Sequence, residues 1–294
     1  MIVRPLSLLG GVEVAGVDLS RPRPPGVDSE LKRLYDHEGI VVFREQKLTK
    51  QQLLDATWPF GGPMIDVPAI VPDPEVPGIT VIGTRGPDGT VKPEDPEALI
   101  GDLEWHTDQG YVPVPNRGKY LYAVEVPEEG GMTGFIDGQT TYNALSEEMK
   151  QRIEGLHVTQ SWDNAEAYLA RNRAYRIEGE KAMASGIFPE VVWPLVCIHP
   201  ITGEKILNCP PLYVGEIVEM PGKQGKALIE ELVAHILRRE FQYWHSYRLG
   251  DALIWDNWRY LHAASGTKGR YVRTLWSIVI QGGPKFGEYL AKAA

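Results

Sequence analysis

Two hydrophobic periods divide the chain. Apolar residues at helical spacing mark DSELKRLYDHEG (28–39), TKQQLLDATWPFGG (49–62), ALSEEMKQRIEGL (144–156) and KQGKALIEELVAHILRRE (223–240), the last with basic residues in its final turn. Short runs rich in β-branched and aromatic residues read as strands: IVVFR (40–44), GITVIG (78–83), KYLYAVEV (119–126), FQYWHSYRLGDALIWDN (241–257) and RYVRTLWSIVIQGG (270–283). Strands gathered toward both ends, with helices before and between them, predict a mainly β core with α decoration. No internal repeat or low-complexity tract interrupts it, so one domain over 1–294 is the simplest organisation. Between Gly62 and Ala98 the text changes, with eight prolines and the turn RGPDGT. That stretch reads as a long active-site loop containing one strand, its glycine-rich tip able to act as a cover.

Composition narrows the functional classes. With 43% hydrophobic residues, 8 Trp and 13 Tyr, the 294-residue chain can bury a substantial core. A formal net charge of -9 argues against nucleic acid or an anionic membrane as partner and leaves a small-molecule substrate. The only cysteines, Cys197 and Cys209, form neither a disulfide framework nor a zinc-ligand pattern, which points to a reducing compartment. Glu13 and Asp18 break the N-terminal apolar run, which lacks a signal-peptide shape, and no stretch reaches the roughly 18 apolar residues of a membrane span. A cytoplasmic protein is expected, and self-association is compatible with the sequence.

The candidate chemistry begins at EWHTDQGY (104–111). On an extended strand His106 and Asp108 would share a face. Such a pair is common by chance and carries little alone. The stretch GDALIWDNWRYLHAASGTKGRYVR adds His262 after a turn, and Arg273 eleven residues later (273 − 262 = 11). Two imidazoles and one carboxylate on one face of an octahedral iron leave three positions open, the arrangement of non-haem Fe(II) oxygenases. Arg273, between apolar neighbours, offers a bidentate partner for the distal carboxylate of a dicarboxylic co-substrate that chelates the metal through a 2-oxo acid head.

These residues carry a resemblance. LGGVEVAGVDLS, HEGIVVFREQKLT, EWHTD, VPEEGGMTGFIDGQTTYNALS, WPLVCIHPITGEKIL and LHAASGTKGRYVRTLWS run in the order of the taurine dioxygenase and 2,4-dichlorophenoxyacetate dioxygenase family, from about residue 8 to 283. The resemblance implies a double-stranded β-helix, a jelly-roll core with flanking helices. It implies an Fe(II)- and 2-oxoglutarate-dependent dioxygenase that uses O₂, hydroxylates a C–H bond of a small organic molecule and releases succinate and CO₂. Desaturation, epimerisation or C–heteroatom cleavage on the same iron site are the alternatives, with a non-catalytic binding protein on the same barrel behind them. His106, Asp108 and His262 resemble the catalytic iron ligands. Arg273 resembles the residue that binds 2-oxoglutarate, Thr133 resembles its hydroxyl partner, and Arg270 stands near enough to assist. Met132 replaces an aspartate usual in the family. Ser277 stands where taurine-type members carry a second arginine, four residues after Arg273. Trp105, Gln109, Tyr111 and Ser277 are the expected substrate-facing positions. His199 is expected to make a structural hydrogen bond.

Overall fold

In the computed structural model, residues 1–65, 72–84, 96–165 and 188–290 are described. The chain opens with a hairpin, β1 (Ile2–Ser7) and β2 (Gly10–Ala15), then α1 (Val27–Glu38), β3 (Ile40–Phe43), α2 (Lys50–Asp55) and β4 (Ile79–Gly83). Next come β5 (Leu99–His106), β6 (Gly118–Glu125), β7 (Thr133–Asp137), α3 (Gly138–Asn143), α4 (Glu147–Ile153) and β8 (His157–Gln160). After them lie β9 (Val191–Pro194), β10 (Val196–Ile198), β11 (Lys205–Leu207), β12 (Val214–Ile217) and α5 (Lys223–Ile236). The last strands are β13 (Gln242–His245), β14 (Ala252–Asp256), β15 (Tyr260–Lys268), β16 (Thr274–Ile280) and β17 (Glu288–Tyr289).

The fold is mainly β, and two sheets carry it. The larger runs β1-β2-β3-β14-β6-β16-β4, and the smaller runs β13-β7-β15-β5. Their inner faces meet over a core of Ile40, Val42, Leu121, Ala123, Leu253, Trp255 and Leu275 from the larger sheet, with Phe135 and Tyr260 from the smaller. Because side chains alternate along a strand, the other face of each sheet is also apolar and needs its own cover. On the larger sheet, Leu31, Leu34 and Tyr35 of α1 and Leu53 of α2 pack against Val41, Phe43, Tyr120 and Ile254. On the smaller, Ile153 of α4 and Leu228, Leu232 and Ile236 of α5 pack against Trp105, Ile136 and Leu261. This double burial is why IVVF has no polar position among its four buried residues.

Several expected elements are present with altered ends. The helix expected over 49–62 stops at α2, where Thr49 and Gln52 form a capping box, and Pro59 then sits in a single 3-10 turn. The helix expected over 144–156 begins only at Glu147, because Ser146 caps it through the Met149 N–H. The β1–β2 hairpin escaped the reading because β1 is mostly exposed and shows no apolar alternation. The Gly62–Ala98 segment carries the one strand expected within it. Its β4 pairs with β16 at the edge of the larger sheet, while the expected cover at its tip (85–95) and residues 66–71 lie outside the described residues. Among the described residues no helix is long and apolar enough to cross a membrane.

The α1–β3 junction turns within one residue. Gly39 has φ 73°, and a Cβ there would collide with the ring of Tyr260, itself buried between the sheets. Gly39→Ala combines a left-handed backbone with overpacking, so it should destabilise the fold by at least about 2 kcal/mol. Urea denaturation would measure this, and a midpoint equal to wild type would contradict it.

Candidate metal centre and the buried arginine beside it

β5 ends at His106, and β15 places His262 directly across the ladder from it. The two imidazoles lie with ring centroids 4.1 Å apart. Asp108 reaches them by a different route from the one expected. It does not lie on an extended strand but in the turn after β5, where Gln109 takes a left-handed φ of 58°. A non-glycine residue there costs on the order of 1–3 kcal/mol and persists only if its surroundings hold it. Asn257, buried in the turn between β14 and β15, supplies that hold. Its Oδ1 accepts the Asp108 N–H at 2.8 Å and its Nδ2 donates to the Asp108 carbonyl, also at 2.8 Å. Asn116 accepts a further bond from the same Nδ2 at 3.1 Å.

The result is three Lewis-basic groups facing one another. Asp108 Oδ1 lies 3.5 Å from His106 Nε2 and 3.6 Å from His262 Nε2, and the ligating atoms all fall within 4.8 Å of one another. His106 Nδ1 lies 2.7 Å from the Glu104 carbonyl and donates to it, which orients the ring so that Nε2 faces Asp108. Burial, then the neighbouring His106, push the His262 imidazole down to about 3, so it is neutral near pH 7. Burial works against the Asp108 carboxylate, yet the Lys119 ammonium and His262 hold it well below the usual carboxylate range. Imidazole nitrogens and a carboxylate oxygen are donors that bind a divalent metal, and two of the first with one of the second suit iron.

Arg273, just before β16, adds the second feature. It is 8% exposed, its Nε donates to the Gly131 carbonyl at 3.2 Å, and no carboxylate pairs with it among the described residues. Burial pulls its guanidinium below the ordinary range. The turn at Gly131 lets it approach: a Cβ on that residue, whose φ is 66°, would lie 2.9 Å from Arg273 Cδ. The Arg273 backbone is fixed by Thr84, whose Oγ1 accepts its N–H at 3.0 Å. Thr133, at the start of β7, is buried with its Oγ1 2.9 Å from the Tyr247 hydroxyl. Burial pushes that phenol up to about 12, against the pull of the Arg273 charge. A fixed cation and two hydroxyls, with no anion paired to the cation among the described residues, make a receptor for a carboxylate.

The profile described as Taurine catabolism dioxygenase TauD, TfdA family matches residues 3–278. The chain belongs to this family. It is 30% identical over 272 residues to the alpha-ketoglutarate-dependent 2,4-dichlorophenoxyacetate dioxygenase of Cupriavidus pinatubonensis, covering 89% of this chain and 91% of that one. It is 29% identical over 289 residues to the (S)-phenoxypropionate/alpha-ketoglutarate-dioxygenase of Sphingobium herbicidovorans, covering 96% and 95%. The crystal structure of AAD-2 in complex with Mn(II) and N-oxalylglycine superposes with a TM-score of 0.79 at 26% identity, over 97% of this chain and all (100%) of that one.

In this TauD/TfdA chain the remaining candidates separate. Tyr111 is buried in an aromatic cluster with Trp162, Phe188 and Tyr213, and Tyr213 lies 6.1 Å from the His106 ring. Gln109 turns its amide onto the Asn116 N–H at 2.9 Å. Ser277 is buried in β16 opposite Leu121. Two expectations are corrected. Trp105 faces away from the site, because neighbours on a strand point to opposite faces; it packs on Trp244 at 5.2 Å in the helix-covered core. Arg270 is a surface residue paired with Glu97 and Glu129, because its turn projects outward before the chain re-enters at Arg273. His199 bonds to Asp256 at 2.9 Å, as expected of a structural histidine. The reading missed Tyr247, Asn257 and Lys119, whose neighbours in the chain mark none of them.

Asn257→Ala removes both bonds to the Asp108 backbone and frees the strained turn. Divalent-metal affinity should then fall about 10- to 100-fold, as for other groups that orient a ligand. Co(II) titration of the two proteins would test this, and equal affinities would mean that the turn holds Asp108 without Asn257.

Proposed function

We propose that this protein is an Fe(II)- and 2-oxoglutarate-dependent dioxygenase that hydroxylates a C–H bond of a small organic molecule, with release of succinate and CO₂. Support comes from one juxtaposition: a carboxylate and two imidazoles sharing one focus, beside a buried guanidinium that has no counter-ion among the described residues. The relatives named for alpha-ketoglutarate-dependent oxidation support the same reading. The two facing sheets support a double-stranded β-helix, with the chain as a single catalytic domain. Buried, unbridged Cys197 and Cys209 support a reducing, cytoplasmic setting.

In this reading His106 Nε2, His262 Nε2 and Asp108 Oδ1 hold the metal. Bound iron supplies the redox chemistry that couples O₂ reduction to co-substrate decarboxylation and C–H oxidation. Arg273 takes the distal carboxylate of 2-oxoglutarate, and the Thr133–Tyr247 hydroxyl pair offers it a donor. Holding the dianion at its far end fixes which way its 2-oxo acid head points. Tyr111, Tyr213, Trp162 and Phe188 form an apolar wall beside His106 that limits water.

Three variants test the assignment. His262→Ala should lower iron stoichiometry and abolish succinate release from 2-oxoglutarate, assayed with Fe(II)-loaded protein and a panel of sulfonates, aryloxy acids and amino-acid derivatives. Full iron content and turnover in that variant would refute the ligand set. Arg273→Leu should raise the KM for 2-oxoglutarate at least about 100-fold, since loss of a buried partner costs roughly 3 kcal/mol or more. Arg270→Leu should change it by less than about threefold, as expected of exposed ion pairs. Equal effects of the two would show that the co-substrate site lies elsewhere.

A further inference from the structure

Lys119 lies near the start of β6, two residues before Leu121 and four before Ala123, and so shares their side of the strand. Leu121 and Ala123 belong to the core between the two sheets. An ammonium directed toward that core loses much of its hydration, and its side chain is only 16% exposed. Its single recorded ion-pair partner among the described residues is Asp108, with Nζ 3.0 Å from Oδ2. The pair is set by distance and charge, for Oδ2 has no aligned hydrogen bond.

The two carboxylate oxygens are therefore differentiated. Oδ1 faces both imidazole Nε2 atoms, at 3.5 and 3.6 Å, whereas Oδ2 faces Lys119. Asn257 anchors the Asp108 backbone from the other end. With the backbone pinned, the remaining freedom is rotation of the carboxylate plane, which would swing Oδ2 toward the imidazoles.

We propose that Lys119 is a positioning residue that keeps Asp108 presenting one oxygen, rather than two, to the metal. This rests on the dioxygenase reading above. A carboxylate that engaged through both oxygens would occupy one of the three positions that two imidazoles and one carboxylate oxygen leave open. A co-substrate chelating through two atoms needs two of those positions and O₂ needs the third. Lys119 thus protects the site's capacity, not its affinity for metal: its own positive charge opposes a cation while it orders the ligand.

The test uses the Co(II)-substituted protein under anaerobic conditions, with three readouts: metal stoichiometry, the visible Co(II) spectrum and the dissociation constant of 2-oxoglutarate. In Lys119→Met the stoichiometry should stay at one, the spectrum before co-substrate addition should differ from wild type, and 2-oxoglutarate should bind about tenfold more weakly. Lys119→Arg, which retains the charge, should restore both spectrum and affinity. Thermal unfolding of each variant reports whether the fold is kept, and Lys119→Gln replaces Met if the latter does not fold. A wild-type spectrum and wild-type 2-oxoglutarate affinity in the uncharged variants would overturn the proposal. Wild-type protein that bound no Co(II) would instead overturn the dioxygenase reading, and this role with it.

Discussion

Two hydrogen bonds from one buried amide tie the fold to its chemistry. Asn257 bonds the N–H and the carbonyl of Asp108 from 149 residues away, joining the turn that leaves β14 to the turn that leaves β5. In a continuous strand those backbone groups would pair across a ladder. Here the ladder ends at His106, and the amide of one side chain imitates the missing strand neighbour. The substitution lets the chain bend with Gln109 in a left-handed conformation, and the bend carries the carboxylate back over the two imidazoles. Ligand geometry is thereby a consequence of sheet geometry: His106 and His262 are cross-strand partners, and Asn257 follows the strand that leads into β15.

Elsewhere the interior keeps its charges compensated. Arg117 lies buried against Asp256 and Asp36 and over the rings of Tyr35 and Trp258, while Asp256 also receives His199. Arg259 makes a two-pronged pair with Asp137. These networks stitch α1 and the β15 turn to the sheets, and each buried charge meets an opposite one. Arg273 does not follow that rule. The same protein that satisfies Arg117 through several partners leaves Arg273 with a backbone carbonyl as its recorded side-chain acceptor among the described residues. An uncompensated cation at that depth lowers the stability of the free protein, and that cost is returned when an anion arrives.

How much of this was legible in the sequence follows from how far apart the interacting residues lie. His262 and Arg273 were readable because residue type and an eleven-residue spacing together limit the chemistry, and the wider string of motifs carried the family. Asp108 was readable as a residue, but the reason given for its position was not the one the structure shows. A two-residue strand spacing does not bring it to the imidazoles; a turn does, and turns held by remote side chains leave no local trace. Trp105 is a different failure. Strand alternation alone puts it opposite His106, so the information was present and the aromatic character outweighed it. Arg270 and Arg273 differ by three residues and by complete inversion of environment, which depends on where β16 begins to pair with β4 and β6. Tyr247 and Asn257 were silent because each acts through a partner more than a hundred residues away, and Lys119 because its partner, only eleven residues back, follows a strand of the other sheet.

The electrostatics of the site then bear on the order in which it fills. Asp108 contributes one negative charge, and Lys119 and Arg273 each contribute one positive. A divalent cation alone enters a region that already carries an excess of positive charge. A dianionic co-substrate alone would meet two cations, but also the Asp108 carboxylate, which repels its 2-oxo acid head. Together the two are neutral, and each removes the charge that opposes the other. The coupling is reciprocal by thermodynamic necessity: whatever factor the metal adds to co-substrate affinity, the co-substrate adds to metal affinity. Lys119 and Arg273 enter this coupling with different weights. Lys119 touches a metal ligand and opposes the cation at short range. Arg273 stands at the entry to a strand of the larger sheet, and in the function proposed above it would meet the end of the co-substrate remote from the metal, favouring the dianion with less effect on the ion. The imidazoles come from the smaller sheet and the guanidinium from the entry to a strand of the larger, so in the function proposed above 2-oxoglutarate would lie across the space between them, and the packing of two β-sheets would fix its direction.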